Sequence, residues 1–199
     1  EDEWYKSLKL RKLKYKLHSC QNRHRHASHL LGLYPGNAIT DKTPELIEAC
    51  KVSLLDRGFG QKSGANGSGW GKANKVNLWA WAKDGNRAYS MLRELINKNI
   101  APNLWDFHPP YQMDGNCGYT SGVCEMLCYS SDDIIELLPA LPEEWKNGSV
   151  KGLCARGGYS LDFTWENGEI KSLSVYSSCG KKTARIKTGD EIKTVKTVG

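Results

Sequence analysis

Near residue 135 the spacing of apolar residues changes from a helical repeat to strict alternation, so this chain must segregate helices from strands. Upstream, "TPELIEACKVSLLDRG" places Thr43 as a cap and Pro44 at the first helical position, with Leu46, Ile47, Cys50 and Leu54 on one face and Gly58 as terminator. "GWGKANKVNLWAWAKDG" predicts a second helix through Val76, Trp79 and Ala80, with Trp79 and Trp81 in the core. "NRAYSMLRELINKN" predicts a third through Tyr89, Leu92, Leu95 and Ile96. "TSGVCEMLCYS" predicts a fourth through Val123, Met126 and Leu127. Downstream, Tyr159, Leu161, Phe163 and Trp165 alternate with Ser160, Asp162 and Thr164, Asn167-Gly168 supplies a two-residue hairpin turn, and Leu173 and Val175 follow on a return strand. "KTARIKTG" and "EIKTVKTV" predict further strands, and "LLPALPEEW" (137–145) is the expected joint. The expected order is α then β, with a basic segment at 1–22, a helical part at 23–134 and a small antiparallel, sandwich-like β domain at 135–199.

Charge narrows the function. The net +6 comes from one run, Lys6, Lys9, Arg11, Lys12, Lys14 and Lys16; without these six, basic and acidic residues balance at 22 each. A solvated segment and a polyanion-binding arm both fit the run, but a nucleic-acid partner would call for a basic footprint spread over a folded face, which the sequence lacks. No apolar run approaches the ~20 residues of a membrane helix, so no membrane partner is expected. The start, Glu1-Asp2-Glu3, is unlike a secretory leader. The seven cysteines are odd in number and hold no CxxC pair, which leans toward buried free thiols in a reducing compartment.

Three stretches rich in polar, aromatic and glycine residues are candidates for chemistry: "NRHRHASHLLGLYPG" (22–36), "GANGSGW" (64–70) and "PNLWDFHPPYQMDGNCG" (102–118). The connections 58–69 and 99–119 that hold two of them are long, and long loops in compact domains are often functional. His24, His26 and His29 fit a metal site, ligand contacts or structural hydrogen bonds; Arg25 between them favours a polar ligand, because guanidinium presents planar donors. Asp114 fits either the first residue of a turn or a general base on a stiff Pro- and Gly-rich loop. Asp106 and His108 are placed to set its environment. Trp70, Trp105 and Tyr111 fit either core positions or stacking on a sugar ring.

Five motifs carry a resemblance: "HRHASHLLGLYPGNAIT", "TPELIEACKVSLLDRG", "GWGKANKVNLWAWAKDGNRAYSMLREL", "NLWDFHPPYQMDGNCGYTSGVCEML" and "LLPALPEEWKNGSVKGLCARGGYSLDFTW". In order and spacing, from about residue 23 to about residue 176, the chain resembles the C-terminal portion of glycoside hydrolase family 95, which includes 1,2-α-L-fucosidases and related α-L-galactosidases. The resemblance implies the last helices of an (α/α)6 barrel followed by a C-terminal β domain. It also implies an inverting hydrolysis in which a glutamic acid protonates the leaving oxygen and an aspartate, helped by asparagines, activates water. That aspartate matches Asp114. Arg25, His26, His108, Trp70 and Tyr111 are the implied substrate contacts, the substrate a fucosylated oligosaccharide or glycan. No cofactor or metal is implied.

The glutamate and the asparagines belong upstream of "HRH", where only 22 residues precede Arg23. The expectation is therefore a fragment, nearly inactive alone, whose partner is the missing N-terminal part of the same enzyme. The alternative is a non-catalytic carbohydrate-binding or structural remnant. Gly71, Asn74 and Cys117 depart from the family pattern of a hydroxyl residue, a tryptophan and a phenylalanine. The compartment stays unassigned, since the cysteines lean intracellular while family members are often secreted or at the cell surface.

Overall fold

A computed structural model describes residues 26–58, 69–107, 110–131 and 133–198. A 3-10 turn, Ser28–Leu30, precedes four helices: α1 (Pro44–Asp56), α2 (Trp70–Trp81), α3 (Gly85–Asn99) and α4 (Met113–Leu127). Seven strands follow: β1 (Cys128–Ser130), β2 (Ile135–Leu137), β3 (Gly148–Ala155), β4 (Tyr159–Glu166), β5 (Glu169–Ser177), β6 (Thr183–Thr188) and β7 (Glu191–Lys196). The basic run at 6–16 lies outside the described residues.

α2 is the hub of the helical part. It is buried along nearly its whole length, polar residues included. α4 packs against it through glycines: a Cβ on Gly118 would lie 2.8 Å from the Ala73 Cβ, and one on Gly122 2.6 Å from Val76 Cγ1. These contacts explain a departure from the sequence expectation. The stretch around Asp114 is a poor helix former and was expected as a loop, with the helix starting near Thr120. Instead α4 begins at Met113, because backbone contact with α2 outweighs the low propensity of Asp and Gly. Thr43 does cap α1, but its hydroxyl bonds back to the Thr40 backbone rather than forward into the helix. Ile96, expected on the buried face of α3, is exposed. α3 itself opens on an Asp84 carboxylate that accepts the Arg87 N–H at 3.1 Å.

The β part forms two sheets, ordered β1-β2-β6-β7 and β3-β4-β5. Leu161, Phe163 and Trp165 of β4 point inward as the alternation requires. Asn167 and Gly168 have φ of 52° and 79°, the left-handed pair a tight type I′ hairpin needs. Among the described strands, every strand-to-strand ladder is antiparallel except β2 with β6, whose connection is long because it carries the whole β3-β4-β5 sheet. Strand pairing begins at Cys128, directly where α4 ends.

The 137–145 joint welds the parts. Trp145 packs on both hydrophobic cores, meets Tyr89 edge-on at 5.6 Å, and its carbonyl accepts the Trp165 indole N–H at 2.8 Å. Lys83 and Lys187 interleave with Asp41 and Glu136 at 2.7–3.2 Å, joining both parts in one ion network. Among the described cysteines, Cys50 and Cys128 are buried free thiols as expected, whereas Cys117, Cys124, Cys154 and Cys179 are exposed. No helix among the described residues is long and apolar enough to cross a membrane.

Candidate active site

The site is built where the starts of α2 and α4 meet. Asp114 is the second residue of α4, exposed, in the turn where a helix favours negative charge. Among the described residues no hydrogen bond or ion pair holds its carboxylate in a local turn. Trp70, the first residue of α2, is half-buried, and its indole lies within 3.3 Å of where a Gly118 Cβ would sit, one helical turn beyond Asp114. Tyr111 stacks at 4.8 Å on Trp105, and both rings keep exposed faces.

The backbone around Asp114 is pinned on both sides. The Gln112 side-chain oxygen accepts the Trp70 N–H at 3.0 Å. The Asn116 amide accepts the Asp106 N–H at 2.9 Å and donates to the Leu104 carbonyl at 2.7 Å. The Asp106 carboxylate is fully buried against the backbones of Gly69 and Gly115, and a Cβ at Gly115 would overlap it. That overlap is the physical reason a glycine follows Asp114.

Deeper in, the fully buried Asn77 joins α2 to α4. Its amide donates to the Ala73 and Gly118 carbonyls and accepts from the Ser121 hydroxyl, which is bonded in turn to the Tyr34 hydroxyl at 3.1 Å. Burial pushes the Tyr34 phenol above its usual range. Sequence reasoning noticed Gln112 and Asn116 only as polar neighbours of Asp114, without a role, and did not single out Asn77 or Lys75. The clearest available signal was polar residues, Lys72, Lys75 and Asn77, recurring inside an otherwise apolar helix.

His26 is half-buried, and its carbonyl accepts from the Arg57 guanidinium at 3.2 Å. Arg57 is buried, and its own carbonyl, with that of Gly58, faces the buried Lys75 ammonium at 3.4 Å. His29 bonds the Ser53 hydroxyl at 2.6 Å, which ties the 3-10 turn to α1. His24, Arg25 and His108 lie outside the described residues. Among the described residues no group of three His, Cys, Asp or Glu side chains could hold a metal.

One other carboxylate on α4 is a potential acid. Glu125 accepts the Trp81 indole N–H at 2.8 Å, and burial raises its pKa above the usual carboxylate range, against the pull of Trp81 and Arg156. It stands eleven residues from Asp114, roughly 16 Å along the helix at ~1.5 Å per residue. An inverting pair needs a separation of about 6.5–9.5 Å, so Glu125 is too far to serve with Asp114.

Family models match the whole arrangement: the glycosyl hydrolase family 95 catalytic domain over residues 2–127 and the glycoside hydrolase family 95 C-terminal domain over residues 129–198. The chain belongs to glycoside hydrolase family 95. Its curated relatives include alpha-L-fucosidase 2 of Arabidopsis thaliana, 37% identical over 77% of this chain and 19% of that protein. Probable alpha-fucosidase A of Aspergillus oryzae is 34% identical over 73% of the chain, and that of Aspergillus niger 33% over 82%, each alignment covering 23% of the relative. The chain therefore spans about a fifth of the length of the relatives it matches.

Proposed function

We propose that this chain supplies the base-bearing end of the catalytic barrel, with the C-terminal domain attached, of an inverting glycoside hydrolase that removes terminal α-linked L-fucose from oligosaccharides. The observation that carries this reading is Asp114: an exposed carboxylate, free of local locks, on a turn braced by two half-buried amides. In the reaction, Asp114 takes a proton from water as the water oxygen bonds to the anomeric carbon. The glycosidic C–O bond breaks and its oxygen receives a proton from a glutamic acid outside this chain. Arg25, His26 and His108 hold sugar hydroxyls, and Trp70 and Tyr111 take the apolar face of the ring. By this account the chain alone is nearly inactive, and an α-L-galactoside is the substrate alternative.

The test is hydrolysis of 2'-fucosyllactose and a nitrophenyl fucoside by the chain alone and by a polypeptide carrying the complete barrel, with and without Asp114→Asn. Activity only in the complete protein, reduced ~100- to 10,000-fold by the substitution, is the expected result. Substantial hydrolysis by the chain alone, or full activity of the variant, refutes the assignment. A second reading, a non-catalytic carbohydrate-binding module, is favoured by the exposed Trp105–Tyr111 pair. Fucosylated glycan that binds the complete polypeptide without turnover would select it.

A further inference from the structure

We propose that Gln112 and Asn116, the two amides flanking Asp114, are positioning residues for the base, and that they fix its turn to the two aromatic-bearing segments beside it. The inference rests on the hydrolase reading above. Gln112 precedes Asp114 by two residues and Asn116 follows it by two, so any shift of either amide is transmitted to the carboxylate between them.

Each amide reaches a different segment. Gln112 accepts the backbone N–H of Trp70 at 3.0 Å, so the start of α4 is bound to the start of α2 at the residue whose indole lies over Gly118. The Gln112 N–H in turn donates to the Asp106 carbonyl at 3.0 Å. Asn116 brackets one residue, Trp105: its oxygen takes the N–H of the residue after, and its NH2 group gives to the carbonyl of the residue before. This complementary pairing fixes which way the amide points.

The bracketed segment is strained. Leu104, immediately before Trp105, has φ of +67°, a left-handed conformation unusual for a bulky residue. Strain of this kind persists where surrounding contacts enforce it, and it concentrates at functional sites. Here the enforcing contacts are the Asn116 amide on the Leu104 carbonyl and, from the segment's own turn, the Ala101 backbone, which accepts the Leu104 N–H at 2.8 Å and donates to the Trp105 carbonyl at 2.9 Å. Asp106 completes the brace from below, its buried carboxylate filling the space against Gly69 and Gly115. Base, Trp70 and Trp105 thus belong to one rigid frame. A general base must meet its water within hydrogen-bond reach, and displacement by about 1 Å can cost ~100-fold in rate.

The experiment uses the polypeptide carrying the complete barrel. Asn116→Ala removes the bracket, and Gln112→Met removes the Trp70 link at nearly constant volume. The expected result is a fall in kcat of about 10- to 100-fold for each, with KM on 2'-fucosyllactose changed less than about threefold, in protein whose thermal midpoint stays near wild type. A purely architectural role would move the midpoint and the soluble yield instead of kcat. If Asn116→Ala does not fold, Gln112→Met is read by the same criteria; failure of both to fold assigns the amides to the scaffold and overturns the proposal. An active wild type, an inactive Asp114→Asn and both amide variants at wild-type kcat overturn this inference while leaving the hydrolase reading intact. A wild type that hydrolyses no fucoside overturns that reading and this inference with it.

Discussion

The helical and β parts of this molecule fill their interiors by opposite means. The β part packs Leu161, Phe163, Trp165, Val175, Ala184 and Ile186 into an apolar layer. Among the described residues the helical part buries Arg57, Lys72, Lys75, Asn77 and Asp106 within or beside its core, whereas the β part buries one such residue, Glu136, which turns toward Lys83 of the helical side. Apolar packing is the less costly way to stabilise a fold, since every buried polar group must recover its lost hydration through specific partners. Among the described residues the buried polar groups are concentrated in the helical part, the part to which the proposed function assigns the base. Perturbed ionisation does not follow the same division: burial pushes the Lys75 ammonium of the helical part down to about 8, and it pushes the Cys128 thiol of β1 up to about 12.

The comparison can be broken first in the β part. Phe163→Ala, at a side chain 1% exposed, is expected to cost ~3–5 kcal/mol, the largest stability effect here. Urea unfolding followed by Trp fluorescence measures it, and a loss below ~1 kcal/mol would mean the apolar layer is not what holds the sheets.

The second test is electrostatic and belongs to the helical part. Burial, reinforced by the positive charges of Arg57 and Lys72, pushes the Lys75 ammonium down to about 8, against 10.5 in the unfolded chain. Between pH 8 and pH 10.5 the unfolded state therefore holds a proton that the folded state has released, and stability rises with pH across that window by roughly 3 kcal/mol. Below pH 8 the cost of the buried charge is fully present. Lys75→Met should flatten the rise, which unfolding midpoints at pH 7.5 and 10 would reveal; parallel curves for the two proteins would remove Lys75 as its source.

The smallest effect lies on the seam. Burial alone would raise the Asp41 pKa, but hydrogen bonds from Lys83 and Lys187 outweigh it and hold the carboxyl below its usual range. Asp41 is half exposed, so Asp41→Asn should cost less than ~1 kcal/mol, and the difference should shrink in 1 M salt. A larger, salt-insensitive loss would mean the two parts depend on this network more than on Trp145.

How much of this was legible in the sequence varies from element to element. The Asn167-Gly168 hairpin and the inward face of β4 were readable because turn chemistry and alternation are local. The start of α4 was not, since its glycines read as loop and make sense only against the nearby Asp106 and against Ala73 and Val76, which are distant in the chain. Burial of all sides of α2 was hidden for the same reason, as were the exposures of Ile96 and four cysteines. At the site, composition left Asp114 as either turn or base, and only the family motif singled it out. The bracing role of its amide neighbours escaped notice because Gln112 reaches 42 residues back to Trp70, a pairing that no periodicity encodes.

The parallel pairing of β2 with β6 bears on how the molecule is made. On the ribosome, β1 and β2 emerge as two three-residue strands, too short to hold a sheet by themselves. Until Thr183–Thr188 and its hairpin partner β7 have been translated, the edge of β2 has no mate, and the flank carrying Glu136 stays uncovered. A nonsense mutation at the codon for Gly180 would thus spare every residue of the helical part and still leave a nascent chain that chaperones and proteases treat as unfinished.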